Sequence, residues 1–392
     1  MEVNPRSEQT LQAISSFVAE SLFPLESAYL RNEQATVFTE LKKLRQVVKN
    51  SGWWAPQLPQ DLGGMGLSLR DFGHISLAIG QSPFGHFVFG CQAPDAGNAE
   101  LLMDFGSEDQ KNLYLMPLAD GETRSCFAMT EPDTPGSDPV SLNTTAKKTS
   151  RGWNISGHKW FTSGAREASF CIVVATTNPE APPAERASLF IVPTEHPGFQ
   201  VIRSIPVMGE AGSALMTHDE VVFSDCEIGP EALLGHEGQG FRLAQSRLGP
   251  GRIHHCMRWL GIAERCLTMM IRRMQTRTFR NGKPLGDEGL MRAMLAENFA
   301  GIEAAKQLVD HTAKMIESRG ASEARLWIST IKFHCGAVLQ KSLDDAVQVH
   351  GALGMCDDSI LAWFYRHERA ARIYDGPDEV HKMSVGKQLL RR

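Results

Sequence analysis

At 392 residues, 42% of them hydrophobic, the chain is long enough to bury a large core and to form more than one domain. Its net charge of −5 gives no basic excess to hold a phosphate backbone, despite local pairs such as Arg272-Arg273 and Arg391-Arg392, so nucleic acid is not an expected partner. The eight cysteines (91, 126, 171, 226, 256, 266, 335 and 356) include no Cys-x-x-Cys pair and lie mostly in apolar surroundings, which predicts buried reduced thiols and neither a disulfide framework nor a metal site. Met1-Glu-Val-Asn-Pro-Arg lacks the profile of a signal peptide, and no apolar run reaches the length of a membrane span. A cytoplasmic protein without membrane association is expected.

From Glu8 to about Gly121 the pattern is helical: Leu11, Ile14, Phe17, Val18 and Leu22 recur at three- and four-residue spacing, and Leu41, Leu44, Val47 and Val48 repeat it. Asp61-Leu-Gly-Gly-Met-Gly-Leu lacks the Lys-Ser/Thr ending of a nucleotide-binding loop and reads as a structural turn. After Gly121 come short β-rich runs at Trp153 to Ser156, Phe170 to Ala175, Ser188 to Val192 and Glu220 to Phe223, which predict a small antiparallel domain. The prolines of Asn178-Pro-Glu-Ala-Pro-Pro-Ala184 mark an exposed hairpin connection. From about Gly238 the helical period returns over Leu243 to Met274, Glu288 to Glu317, Ala321 to Gly351 and Ser359 to Ala371, with Pro250 expected to kink or restart the first helix. The expected class is α+β, mostly α, in three parts: a helical domain over 1–122, a β-domain over 123–236 and a helical domain over 237–392.

Five stretches stand apart: Phe127-Ala-Met-Thr-Glu-Pro132, Lys159-Trp-Phe-Thr-Ser-Gly164, Gly249-Pro-Gly-Arg252, Gln348-Val-His-Gly-Ala-Leu-Gly354 and Arg372-Ile-Tyr-Asp-Gly-Pro-Asp-Glu-Val-His381. Taken singly, each has a plain structural explanation as a polar turn, a strand or a helix end. In this order and at these separations they resemble the acyl-CoA dehydrogenase family of flavoenzymes, over nearly the whole chain. Asp375 to His381 matches residue for residue a subgroup with Asp-Gly-Pro-Asp-Glu-Val-His, which includes the animal proteins fused to a kinase-like domain.

The resemblance implies FAD as cofactor and a four-helix bundle as the third part. It also implies α,β-dehydrogenation of an acyl-CoA to a 2-enoyl-CoA, a homotetramer, and an electron-transfer flavoprotein or similar acceptor. By the same carry-over, Phe127, Met129 and Thr130 would border the flavin, and Ser137 would sit where flavin and thioester meet. Phe161, Thr162 and Ser163 would lie against the ring. Arg277 and Phe279 would reach the pyrophosphate side from a neighbouring subunit, and Gln348, Gly351 and Ala352 the adenosine side, although the family has Gly where Ala352 stands, and here Phe279 is one place closer to Arg277 with a residue inserted before Gly282-Lys283. Glu379 joins the cofactor set. Asp375, where most of the family has Glu, would take the α-proton. Its backbone N–H and a flavin ribityl hydroxyl would be the oxyanion donors. Tyr374, Gly376 and Arg252 would join Ser137 at the substrate, with Arg252 orienting the carboxylate or shifting its pKa. His254 and His255 are adjacent, so they cannot share a helix face as metal ligands do, and no catalytic role is expected for either. An oxidase or flavin monooxygenase on the same fold, and a DNA-associated damage-response relative, are the alternatives.

Overall fold

The computed structural model describes residues 5–213 and 215–391. Its helices are α1 (Pro5–Phe17), α2 (Gln34–Asn50), α3 (Leu69–Gly80) and α4 (Asp95–Phe105), then, after the strands, α5 (Gly240–Thr276), α6 (Gly289–Arg319), α7 (Arg325–His350), α8 (Ile360–Glu368) and α9 (Asp378–Leu389). Two compact units divide the chain: Met1–Val47, Leu67–Phe89 and Pro250–Arg392 form one, and Val48–Gly66 with Gly90–Gly249 form the other.

The first unit is helical, and its helices follow from local signals. Ser68 caps α3 by accepting from the Asp71 amide, and Phe72, Ile75, Ala78 and Ile79 then bury one stripe. Long α5 buries Ile253, Cys256, Met257, Leu260, Ala263 and Met270. It is one helix through position 250, so the expected restart at Pro250 does not occur. A proline in a helix costs about 3 kcal/mol, less than burial of that many side chains returns. Gly351, at φ 65°, ends α7, and Ser359 caps α8.

Among its described residues the second unit carries nine strands: β1 (Ser125–Ala128), β2 (Thr145–Thr149), β3 (Gly152–Ser163), β4 (Phe170–Thr176), β5 (Ala187–Pro193), β6 (Phe199–Ser204), β7 (Gly212–Ser213), β8 (Met216–Ile228) and β9 (Leu233–Leu234). Their order is β6-β8-β3-β2-β4-β5-β9, with β1 beside β4 and β7 beside β8. The sheet is antiparallel except where β1 and β2 pair in parallel with β4. β4 and β5 are buried along nearly their whole length, as central strands covered on both faces must be, whereas β8 alternates. Cys126, Trp153, Ile155, Cys171, Phe190 and Phe223 belong to the core. The Gly-rich loop is the structural turn expected of it: Gly63 and Gly66 hold positive φ, and a Cβ on Gly64 would lie 2.2 Å from the Leu58 carbonyl oxygen. Seven of the cysteines are buried thiols, and Cys356 is half-buried.

Candidate active site

The turn joining α8 to α9 is held by contacts from α5 and α9. Asp375 sits at φ 55° and Gly376 at φ 95°. Such a conformation costs a residue with a side chain about 1–3 kcal/mol and persists only where its surroundings enforce it. Here they do. Arg252 Nη2 (3.2 Å) and His381 Nε2 (3.0 Å) both reach the Asp375 main-chain carbonyl, and His255 Nε2 lies 3.2 Å from its carboxylate Oδ2. Gly376 has no room for a side chain, because a Cβ there would stand 2.9 Å from His381 Nε2.

Beneath the turn, the Tyr374 hydroxyl accepts from Arg258 Nη2 (3.0 Å) and Trp259 Nε1 (2.9 Å), while Arg258 forms a two-pronged ion pair with buried Glu368. The Tyr374 hydroxyl is thus committed to the protein, and burial holds its pKa well above the ordinary value. Lys332, fully buried, donates to the Ala371 carbonyl at 2.8 Å, with burial lowering its pKa.

Arg252 hydrogen-bonds the main-chain carbonyl of Asp375 and so helps fix the turn, and its charge also acts on Asp375. The adjacent histidines do diverge, as helix geometry requires, yet each has its own task. His254 is edge-on to Phe72 at 4.3 Å, and His255 faces Asp375. His255 was legible only as one of three residues, with Arg252 and Trp259, on one stripe of α5. Asp378, at the start of α9, is buried against Arg372 at 2.7 Å, and Glu379 is exposed.

The histidines make this region acid-sensitive. Burial, aided by Arg252 and Lys332, lowers the His381 pKa from 6.5 to about 4, and burial, aided by His255, lowers that of His254 to about 3. As pH falls below 6.5 the unfolded chain takes up protons that the folded chain refuses, so stability is lost progressively down to those values. His381→Gln, which retains an N–H for the Asp375 carbonyl, is expected to reduce the loss of stability between pH 7 and pH 5. Urea unfolding at both pH values measures it.

A second feature of the helical unit is an open pocket of about 550 Å³ at the end of α7. Arg277, Phe279, Gln348, Gly351 and Ala352, five of the expected cofactor residues, line it together with Arg273, which the sequence did not single out. The unusual spacing after Arg277 is absorbed by a tight loop in which the Phe279 amide donates to Lys283 O at 2.8 Å and the Leu285 amide to Arg277 O at 2.7 Å, with Gly282 at φ 80°. Phe279 is left exposed, and the Arg273 Nε is buried with no hydrogen-bond partner among the described residues.

In the sheet unit, Lys159 organises the other candidates. Its ammonium, fully buried, donates to Glu131 Oε1 (2.8 Å) and the Met129 carbonyl (2.9 Å), and Glu131 in turn accepts from the amides of Asn143 (2.6 Å) and Thr144 (2.9 Å). Trp160 N donates to Thr130 O at 3.0 Å. β3 bulges against β8 between Lys159 and Thr162, and Phe161 at the bulge takes φ 51° and is exposed. Thr162 turns inward and is fully buried, while Ser163 Oγ lies 2.8 Å from His218 Nδ1. Phe127 carries the Arg247 guanidinium over its ring at 4.5 Å, and Ser137 lies exposed in the loop before β2.

Comparison with known proteins decides the family. Residues 4–122, 126–226 and 238–390 match the N-terminal, middle and C-terminal domains of acyl-CoA dehydrogenases. The chain belongs to the acyl-CoA dehydrogenase family. The chain is 37% identical to the protein named acyl-CoA dehydrogenase FadE2 of Mycobacterium tuberculosis, over 97% of its own length and 94% of the relative's. It is 36% identical to mouse acyl-CoA dehydrogenase family member 10 over 99% of its own length, but spans only 37% of that relative. A solved acyl-CoA dehydrogenase from Mycobacterium abscessus superposes with a TM-score of 0.95 at 34% identity, covering 100% of this chain and 99% of that one. The protein is accordingly a flavin-dependent oxidoreductase, with FAD as its cofactor.

The residues present suit that cofactor. A dinucleotide needs cationic and polar groups for its pyrophosphate and sugar, which the pocket offers in Arg273, Arg277 and Gln348. Among the described residues no helix is long and apolar enough to cross a membrane, and no group of His, Cys, Asp and Glu is placed to hold a metal.

Proposed function

We propose that Asp375 is the base that removes the α-proton of an acyl-CoA thioester, giving a 2-enoyl-CoA. The observation that carries this reading is the turn itself. A carboxyl-bearing residue is held at φ 55° with its main-chain carbonyl fastened by Arg252 and His381. An α-proton of a thioester is weakly acidic, so the site must position its base and stabilise enolate-like charge, for which the Asp375 N–H is the protein's donor. FAD, when bound, supplies the acceptor for the hydride leaving Cβ. Asp375 is one methylene shorter than the family's common Glu, and a rigid turn suits it, because general-base transfer needs contact of roughly 2.6–3.2 Å.

For the cofactor, Phe127, Met129, Thr130, Phe161, Thr162 and Ser163 border the flavin in this reading. Arg277 and Phe279 serve the pyrophosphate side and Gln348, Gly351 and Ala352 the adenosine side of a neighbouring subunit's FAD, within a homotetramer. Ser137, Tyr374 and Gly376 border the thioester. A soluble carrier such as an electron-transfer flavoprotein takes the electrons. The test is anaerobic: addition of straight, branched and hydroxylated acyl-CoAs to the holoenzyme should bleach its flavin band with at least one of them, and failure with every one refutes the reading.

Arg277→Ala is expected to lower the FAD content of the purified protein and, through linkage, the stability of the oligomer. Flavin absorbance per chain and native mass check it. Full flavin at unchanged mass would remove Arg277 from the cofactor set.

A further inference from the structure

Asp375 is not a solitary carboxylate. His255 Nε2 stands 3.2 Å from its Oδ2, and the imidazole is itself held, stacked on Trp259 (6.0 Å between centroids, 19°) and edge-on to Tyr374 (5.3 Å). Those two rings are locked in turn by the bond from Trp259 Nε1 to the Tyr374 hydroxyl, and Tyr374 by Arg258 and Glu368. Both partners remain about one-fifth exposed, so neither is sealed from a ligand. An ionised carboxylate only accepts, so the ring nitrogen facing it carries the hydrogen.

The charged and titratable groups around the pair are Arg252, His254 and Arg258 on α5, His86 on the short helix after α3, Lys332 on α7, and Tyr374, Asp378 and His381 on the turn and α9. Arg252 and Lys332 both act on Asp375 through their charges.

We infer that His255 is the positioning residue of this base: its Nε2–H fixes Asp375 Oδ2, so that Oδ1 is presented to the α-proton of the thioester. The inference rests on Asp375 being the base. In the step, the Cα–H bond breaks and an Oδ1–H bond forms. The electron pair stays on the thioester as the enolate, and His255 keeps its own proton. The arrangement accounts for Asp at this position. A short carboxylate gripped through its main-chain carbonyl by Arg252 and His381, and through Oδ2 by His255, has little freedom to turn.

The proton step can be read alone. In anaerobic D₂O, holoenzyme reduced beforehand with dithionite cannot take a hydride, so deuterium entering Cα of saturated acyl-CoAs from about C4 to C16 reports deprotonation by Asp375. For the acyl-CoA that exchanges fastest with the unaltered protein, His255→Phe, which keeps the aromatic stack but has no N–H, is expected to slow exchange on the order of 10²-fold. Acyl-CoA affinity by calorimetry and FAD content should stay unchanged. His255→Gln, which can still offer an N–H at that distance, should restore most of the rate. Exchange at the unaltered rate in His255→Phe overturns the inference. So does a Gln variant as slow as the Phe variant, which would mean that a titrating ring is required and not a fixed donor. If the Phe variant fails to retain flavin, Gln against Met decides the same question with chains of similar length. Absence of exchange in the unaltered protein, or its persistence in Asp375→Asn, would instead refute Asp375 as the base and leave a different diagnosis.

Discussion

Asp375→Asn is expected to slow reduction of the flavin by a good acyl-CoA by about 10²–10⁴-fold, the range for loss of a general base. Asn keeps the shape of Asp and its main-chain carbonyl, so the contacts from Arg252 and His381 that define the turn can persist. Asn also tolerates positive φ as well as Asp does, so the strain at φ 55° is not increased. Binding and chemistry should therefore separate. FAD content should match that of the unaltered protein, and the acyl-CoA should still perturb the flavin spectrum without bleaching it. Stopped-flow bleaching measures the rate, and bleaching at the unaltered rate removes Asp375 from the base position. Of the two other carboxylates nearby, Asp378 is engaged by Arg372 and Glu379 points to solvent, so exposed Glu379 would be the next to replace. Asp375→Glu restores the family's commoner residue, but its added methylene must fit beside His255, and partial activity is the expected result.

Lys159→Met is expected to destabilise the sheet unit by about 3–5 kcal/mol, the usual consequence of removing one partner from a buried ion pair. Lys159 and Glu131 are 0% and 2% exposed, so neither charge can turn to water when the other is lost. The damage should reach the segment proposed to border the flavin. Lys159 also holds the Met129 carbonyl, and Glu131 holds the amides of Asn143 and Thr144, so the pair joins β3 to the segment that follows β1. Chemical denaturation followed by tryptophan fluorescence measures the stability, and flavin absorbance after dialysis measures retention of FAD. The double variant Lys159→Met, Glu131→Gln removes the stranded charge and should recover part of the loss. A single variant as stable as the parent, with full flavin, would show that the pair does not hold this loop.

Much of the molecule could be read without coordinates. The three- and four-residue spacing from Leu243 to Met274 gave α5, and the continuous apolar runs around Val173 and Phe190 gave β4 and β5, because burial on one stripe or on both faces leaves a periodic mark. β2 left no such mark: Thr145 to Thr149 carries two lysines and one buried residue, and it becomes a strand because β3 and β4 provide its ladder. Motif order pointed to the family, and within it to Asp375, since turn chemistry and a carboxylate are both local properties. What Asp375 touches was not local. His255 lies 120 residues earlier, Arg252 still earlier, and the adjacency of His254 and His255 argued against a shared role until helix α5 aimed one ring at Phe72 and the other at the turn. The pocket around Arg277 likewise needed α7 to bring Gln348 and Gly351 to a loop whose spacing departs from the family's pattern. Periodicity specifies what a segment buries. Which side chains then meet is decided by packing between segments far apart in the chain, and there the charge partners, the strained φ of Asp375 and the imidazole beside its carboxylate were set.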